Sequence, residues 1–232
     1  MARLSATDIL DVHARGHRAD SLDRALLVLR ATTGSTLDTL AALPIGRRDH
    51  ALFTAHAETF GDAIPCVVPC PFCATPLELA LGAQQLRLEP PDEGPGPFAL
   101  AFNETTFTFR LPNTHDLRFA LAEPDAVEAR LLERCVEGPV PEEEVANAIS
   151  AEMGRLDPQA DVQLALTCPS CHGAWSAPFD IAGYLWREIE TEAERLLDVV
   201  HVLAKSYGWS EAAILDMPAT RHRAYLERLE AW

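Results

Sequence analysis

Two short stretches of one form, Cys70-Pro71-Phe72-Cys73 and Cys168-Pro169-Ser170-Cys171, constrain this chain more than any other feature. A Cys-x-x-Cys turn aims two sulfurs at one point, and proline after the first Cys pre-sets the backbone for it. Two such pairs supply four thiolates, the set that a closed tetrahedral Zn²⁺ site takes with bonds of about 2.3 Å. The alternatives fit poorly: thioredoxin-like redox pairs come singly, and structural disulfides belong to secreted chains. The spacing therefore favours one structural zinc held by Cys70, Cys73, Cys168 and Cys171. The chain that leaves Cys73 must return at Cys168, so the metal would tie the middle of the fold together.

Charge narrows the function classes. The chain of 232 residues has a formal net charge of −16 and 48% hydrophobic residues, enough for a real core in one large or two small domains. No Lys/Arg run offsets the acidity, so a zinc ribbon here is not expected to bind nucleic acid. Residues 1–8 turn polar before any stretch of signal-peptide length, and no run approaches the roughly 20 apolar residues of a membrane span. A cytoplasmic protein with no membrane partner is the expectation, in a compartment where thiols stay reduced.

Read in order, the pattern predicts an α+β fold: zinc-ribbon-like paired β-hairpins with surrounding helices, then a long C-terminal helix followed by two short ones. An N-terminal helical region (1–64) begins with a helix from Ala6 to about Ala31, with Ser21 and Asp23 as cap and first-turn acid. A short helix, Leu37 to Leu43, follows a break at Gly34-Ser35-Thr36. Another runs from about His50 to Phe60 behind a turn at Pro44–Asp49, where Arg47 and Arg48 read as a solvated helix start. The zinc-organised hairpins (65–180) pair Ile64–Val68 with Leu77, Leu79 and Leu81, and Val162–Leu166 with Ala174–Pro178. Between them come an exposed Pro/Gly loop (89–97), a hairpin turned at Asn103-Glu104, and a helical insertion (113–160). Three helices fill the insertion, beginning at Thr114, Pro124 and Pro141, with Glu142, Glu143 and Glu144 as a solvated first turn. The C-terminal arm (181–232) opens with a helix to Tyr207 whose seam is Ile189, Ala193, Leu196, Val200, Leu203 and Tyr207, a core face or a coiled-coil face. Gly208 ends it, Ser210 caps a short helix, and Met217-Pro218 precedes the last helix, Arg221 to about Glu230.

Catalytic signatures are missing: there is no Gly-rich phosphate loop, Gly-x-Ser-x-Gly elbow or His-Glu-x-x-His helix. Four thiolates also leave a zinc no open position for water. Cys66 competes as a ligand only by its closeness to Cys70, His172 is expected to face solvent, and Cys135 reads as a small buried apolar residue. His201, beside the apolar seam, is a packed or capping histidine. No catalytic residue is assigned. Trp209, Ile214, Leu215, Tyr225, Leu226 and Trp232 exceed what two short helices can bury between themselves, so they need either the chain's own core or a client.

Several stretches together resemble the baseplate hub assembly chaperone family of T-even-type bacteriophages, also found with phage-tail-like contractile injection systems. They are Leu43-Pro44-Ile45-Gly46-Arg47-Arg48-Asp49 with Phe60-Gly61, both knuckles, Leu156-Asp157-Pro158 with Ala160-Asp161, and Val200-His201 with Leu203-Ala204. Tyr207-Gly208-Trp209-Ser210-Glu211 with Ile214-Leu215, and Arg221-His222-Arg223-Ala224-Tyr225-Leu226, complete the match. The first knuckle departs from the family pattern, carrying Ala74-Thr75-Pro76 where Gly173 serves the second. The resemblance implies a non-enzymatic, cytoplasmic assembly chaperone or minor hub component whose partners are baseplate or hub proteins of a contractile tail. It also favours a client for the arm residues Tyr207, Trp209, Ser210, Glu211, Ile214, Leu215, Arg221, Arg223, Tyr225 and Leu226. A zinc-ribbon enzyme or adaptor of unknown substrate is the competing reading.

Overall fold

The structure, a computed structural model, describes residues 1–89, 94 and 96–230. The helical N-terminal region is divided more finely than its periodicity predicts. Helix α1 (Ala6–Gly16) is closed by a Ser5/Asp8 capping box, and α2 (Ser21–Thr33) is capped by Asp20, whose side chain accepts from the Asp23 N–H. The single helix expected over Ala6–Ala31 is thus two, with Ser21 inside the second rather than capping it. The break is held from both sides. Arg24 donates to the carbonyls of Gly16 and His17 at 3.0 and 3.2 Å, satisfying the open end of α1. A Cβ at Gly16 would overlap the Trp186 indole, so only glycine lets α1 approach that ring.

After α3 (Leu37–Ala41), capped by Thr36, comes α4 (Ile45–Phe60), which starts five residues earlier than the sequence suggests. Its N-cap position is Pro44, which has no side-chain acceptor to offer. Asp157 replaces the missing cap from 111 residues away, accepting from the Gly46 N–H at 2.8 Å. Arg48, expected in solvent, is buried: its Nε donates to Asp49 Oδ1 at 2.7 Å and its Nη1 lies 3.5 Å from Thr114 Oγ1. Burial raises the Asp49 carboxyl above the usual range despite that arginine. The Arg-Arg-Asp stretch is therefore part of a buried junction between α4 and the insertion.

The expected hairpins form. β1 (Ala63–Pro69) pairs antiparallel with β2 (Pro76–Gly82), with Cys66 opposite Leu79. One short helical turn, α5 (Ala83–Leu86), follows. β3 (Phe98–Phe102) pairs with β4 (Thr105–Phe109) across Asn103, whose φ of 47° suits a tight two-residue turn. Most of the Pro/Gly loop before it lies outside the described residues. In the insertion, α6 (Thr114–Ala120) takes its cap from Asn113 rather than Thr114, which is the first helical residue. Pro124–Ala126 form a 3-10 turn ahead of α7 (Val127–Cys135), and α8 spans Glu143–Leu156. Asp116 anchors this region, fully buried and held by Arg110 and Arg134.

β5 (Gln163–Thr167) and β6 (Ala174–Pro178) make the third hairpin. α9 (Ile181–Tyr207) follows, capped by Asp180 and terminated by Gly208 in the left-handed region at φ 70°. α10 (Glu211–Leu215) and α11 (Ala219–Glu230) complete the described chain. Its three hairpins are separate two-stranded sheets among 11 α-helices, an α+β architecture with a zinc-ribbon-like cysteine cluster.

The hydrophobic clusters do not follow the division at 181. The largest joins α1, α2 and α4 to the first half of α9, with Leu29, Phe53, Leu185 and Ile189 at its centre. A second, around Phe109, Leu132 and Ile149, belongs to the 98–156 segment. The α9 seam proves to be a core face: Ile189, Ala193, Leu196 and Leu203 are buried within the chain, Val200 is half-buried and Tyr207 sits at the rim. No described helix is long and apolar enough to cross a membrane.

Candidate metal centre

Each knuckle is built by the same local chemistry. In the first, the Cys70 N–H donates to the Thr75 carbonyl and the Ala74 N–H to the Cys70 carbonyl, both at 2.9 Å. In the second, the Cys168 N–H donates to the Gly173 carbonyl and the His172 N–H to the Cys168 carbonyl, again at 2.9 Å. Ala74 and His172 occupy equivalent places, and both have a φ of 59°. The departure of the first knuckle from a glycine-bearing pattern therefore leaves its backbone unchanged. Both knuckles carry the same strain at that place, because a left-handed φ costs an L-residue roughly 1–2 kcal/mol.

The two turns meet face to face. The sulfurs of Cys70, Cys73, Cys168 and Cys171 all lie within 4.8 Å of one another. Two pairs cross between the knuckles, Cys70 to Cys171 at 3.7 Å and Cys73 to Cys168 at 3.6 Å. A disulfide needs about 2.05 Å. Four ligands at about 2.3 Å from a tetrahedral centre stand about 3.8 Å apart. The separations therefore match shared ligation and rule out bonding between the sulfurs. All the described cysteines are free thiols.

Electrostatics points the same way. The Thr75 hydroxyl, 3.3 Å from Cys73 Sγ, and the Thr75 backbone hold that thiol down near 6. Against a backbone hydrogen bond from Gly173, burial and the three neighbouring sulfurs push Cys171 up to about 12. Thiols this crowded do not all ionise together without a positive charge among them, and a metal cation supplies it. The four sulfurs could thus hold one metal ion, with no chemical mismatch in the donor set.

The surroundings close the site on one side. Cys70 and Cys168 are buried with Leu77, Leu79 and Trp175 against them, whereas Cys73 and Cys171 face outward. Phe72, at the tip of the first knuckle, lies over Gly173 of the second and meets Trp175 edge-on at 6.4 Å. A Cβ at residue 173 would occupy the space of the Phe72 ring, so Gly173 serves close approach rather than an unusual φ. Sequence reasoning did not single out Phe72 or Trp175, and their only signal was an aromatic beside each cysteine pair.

Cys66 stays out of the cluster, half-buried on β1 against the main core, where burial raises its thiol pKa. Cys135 is buried, and its thiol is pushed up to about 12 by burial and the neighbouring Asp116 carboxylate. His172 is exposed as expected, whereas His201, expected to pack or cap, also points to solvent because it lies off the buried Leu196/Leu203 face of α9. Compared with family models, curated proteins and solved structures, the chain matches none.

The ten arm residues fall into two groups. Ile214 is wholly buried beneath α9 with Val199 and Leu203, Leu215 packs on the main core, and the Ser210 hydroxyl caps α10 by accepting from the Ala213 N–H. Those three hold the arm to its own chain, and Leu226 packs on the same small cluster as Ile214. The arm thus docks chiefly on the second half of α9. Trp232 lies outside the described residues. Trp209 and Tyr225 are half-buried against that cluster as well, while Tyr207 is exposed at its edge: Tyr207 stacks on Trp209 at 4.6 Å, Tyr225 meets both edge-on, and Glu211, Arg221 and Arg223 are exposed around them.

Proposed function

We propose that this chain is a zinc-stabilised, non-enzymatic assembly factor: a chaperone or minor hub component for the baseplate of a contractile tail or phage-tail-like injection system. The observation that carries the structural role is the closed four-sulfur cluster. Zinc is the natural occupant, since four thiolates in a tetrahedron suit it and leave no coordination position for water or substrate. The baseplate assignment rests on the resemblance of the motifs along the chain. Several of those motifs sit at joints of the fold, including Gly46 with Asp157 and the two knuckles. The aromatic trio of Tyr207, Trp209 and Tyr225, whose Tyr207 is exposed and whose other two rings are half-buried on the α9 cluster, is the client face in this reading together with Arg221 and Arg223, because aromatics and arginine dominate interface energetics.

Two measurements test it. Elemental analysis of the purified protein is expected to give one zinc per chain. Cys70→Ser is expected to release it and lower the melting temperature, because structural zinc binding is part of the folding free energy. Absence of zinc, or an unchanged melt, removes the metal reading. For the client, co-expression with a baseplate hub protein is expected to yield a complex that Trp209→Ala and the exposed double variant Arg221→Glu/Arg223→Glu both abolish, with zinc content and helicity intact. Undiminished pull-down by both variants refutes the assigned face.

A further inference from the structure

A second surface, made of residues outside the arm, has the build of a docking groove. α7 and α8 flank an open cavity of about 560 Å³, floored by Leu132 and by Asp157, Pro158 and Ala160 of the turn after α8. That is within the roughly 300–1,000 Å³ typical of ligand-binding clefts. Its walls are apolar: Val127, Leu131 and Met153 are half-buried on the groove face while Leu132 is buried beneath them. α8 also exposes bare backbone there, since a side chain at Gly154 would meet nothing within 4 Å.

The rim decides what fits. Glu128 and Asp161 stand exposed at the edge, and no basic side chain is among the lining residues. Glu128 accepts from the Ser150 hydroxyl at 3.0 Å across the groove, and Asp161 accepts from Gln163, so both carboxylates are held in place. Asp157, also in the lining, is spent on the α4 cap. An apolar trough with a negative rim excludes two common occupants. A second copy of a chain with net charge −16 brings like charge to the contact, and anionic lipid meets the same repulsion.

We propose that the α7/α8 groove docks a basic amphipathic helix of a protein partner, with apolar side chains seated on Val127, Leu131 and Met153 and lysines or arginines facing Glu128 and Asp161. This is helix-in-groove recognition, in which one apolar face at i, i+3, i+4 and i+7 supplies the anchors. The exposed backbone at Gly154 lets the incoming helix come close. The inference does not depend on the baseplate reading, and its residues are not those of the arm.

The test uses the zinc-loaded full chain and a fluorescent leucine/lysine peptide of about 18 residues, long enough to form a helix on binding. Its controls are a leucine/glutamate peptide of the same pattern and phosphatidylglycerol vesicles. The lysine peptide is expected to bind. Gly154→Leu, which fills the groove, is expected to weaken binding at least tenfold with no loss of melting temperature. Gly154→Lys, which places a cation in the groove, should do the same. Glu128→Gln/Asp161→Asn should lower affinity and flatten its salt dependence. Binding unaffected by both Gly154 variants overturns the proposal, since the peptide is then attracted to the acidic surface at large. Equal binding of the glutamate peptide, or of the vesicles, overturns it too.

Discussion

Gly46→Ala and Gly154→Ala apply one chemical change, a methyl group added to a helix, in opposite surroundings. Helix propensity alone makes either substitution favourable by about 1 kcal/mol. At Gly154 the new carbon meets nothing within 4 Å, so that gain stands. At Gly46 it would overlap the Asp157 carboxylate and come to 3.0 Å from the Ala160 backbone nitrogen. The carboxylate then cannot keep its 2.8 Å hydrogen bond from the Gly46 N–H. A buried N–H left unpaired costs about 1–3 kcal/mol, and overpacking adds roughly 1–3 kcal/mol. Setting these against the propensity gain leaves Gly46→Ala destabilising by about 3 kcal/mol. At about 2–4 °C per kcal/mol for a chain of this size, its melting temperature falls by about 10 °C, while that of Gly154→Ala rises by about 3 °C. Thermal unfolding of the purified protein followed by far-UV circular dichroism reads both shifts. An Asp157→Ala background supplies the mechanistic control, because Gly46→Ala should cost much less once the carboxylate is gone. A raised melting temperature for Gly46→Ala, or an equal loss in both backgrounds, refutes the reasoning.

Two further outcomes follow from local features. Ala74→Gly and His172→Gly relieve the left-handed backbone of the knuckles, and each is expected to stabilise the protein by up to about 1 kcal/mol in denaturant titrations, the gain offset in part by glycine's greater chain entropy. For Asp116, burial alone would raise the carboxyl, but hydrogen bonds from Arg110 and the Asn113 N–H, with Arg134 beside them, outweigh it and hold the pKa below the ordinary value. The unfolded state therefore binds the proton more readily, so this group's stabilisation is present above the ordinary carboxylate pKa and fades as pH falls toward the depressed one. Asp116→Asn should be less stable at neutral pH and show a flatter acid limb; an acid limb unchanged from the parent would contradict this.

Features with local causes were legible in the sequence. The cysteine pairs, the hairpins beside them, the Asn103-Glu104 turn and the stop at Gly208 are each specified by residues a few positions apart. What the sequence hid was set at long range. The break between α1 and α2 carries local marks in Gly16 and the Asp20/Asp23 cap, but the reason α1 must stop there, its close approach to the Trp186 ring, comes from far along the chain. The early start of α4 depends on Asp157, a cap no local rule can supply from 111 positions away. Arg48 looked like a surface cation because its burial comes from the packing of the insertion against α4. For the arm, an apolar helix end reads identically whether its cover is α9 or another protein.

The placement of the cysteines also sets an order of events during synthesis. Cys73 and its near partner Cys168 are 95 residues apart. At roughly 5–20 residues per second, the first knuckle spends about 5–20 s outside the ribosome as a two-thiolate fragment before the second emerges. The N-terminal helices wait longer still, since Leu185 and Ile189, which complete their core, come after the second knuckle. Through that interval the growing chain offers a pair of free thiols and an uncovered apolar face, so meeting of the two knuckles and closure of the main core become nearly simultaneous, late steps.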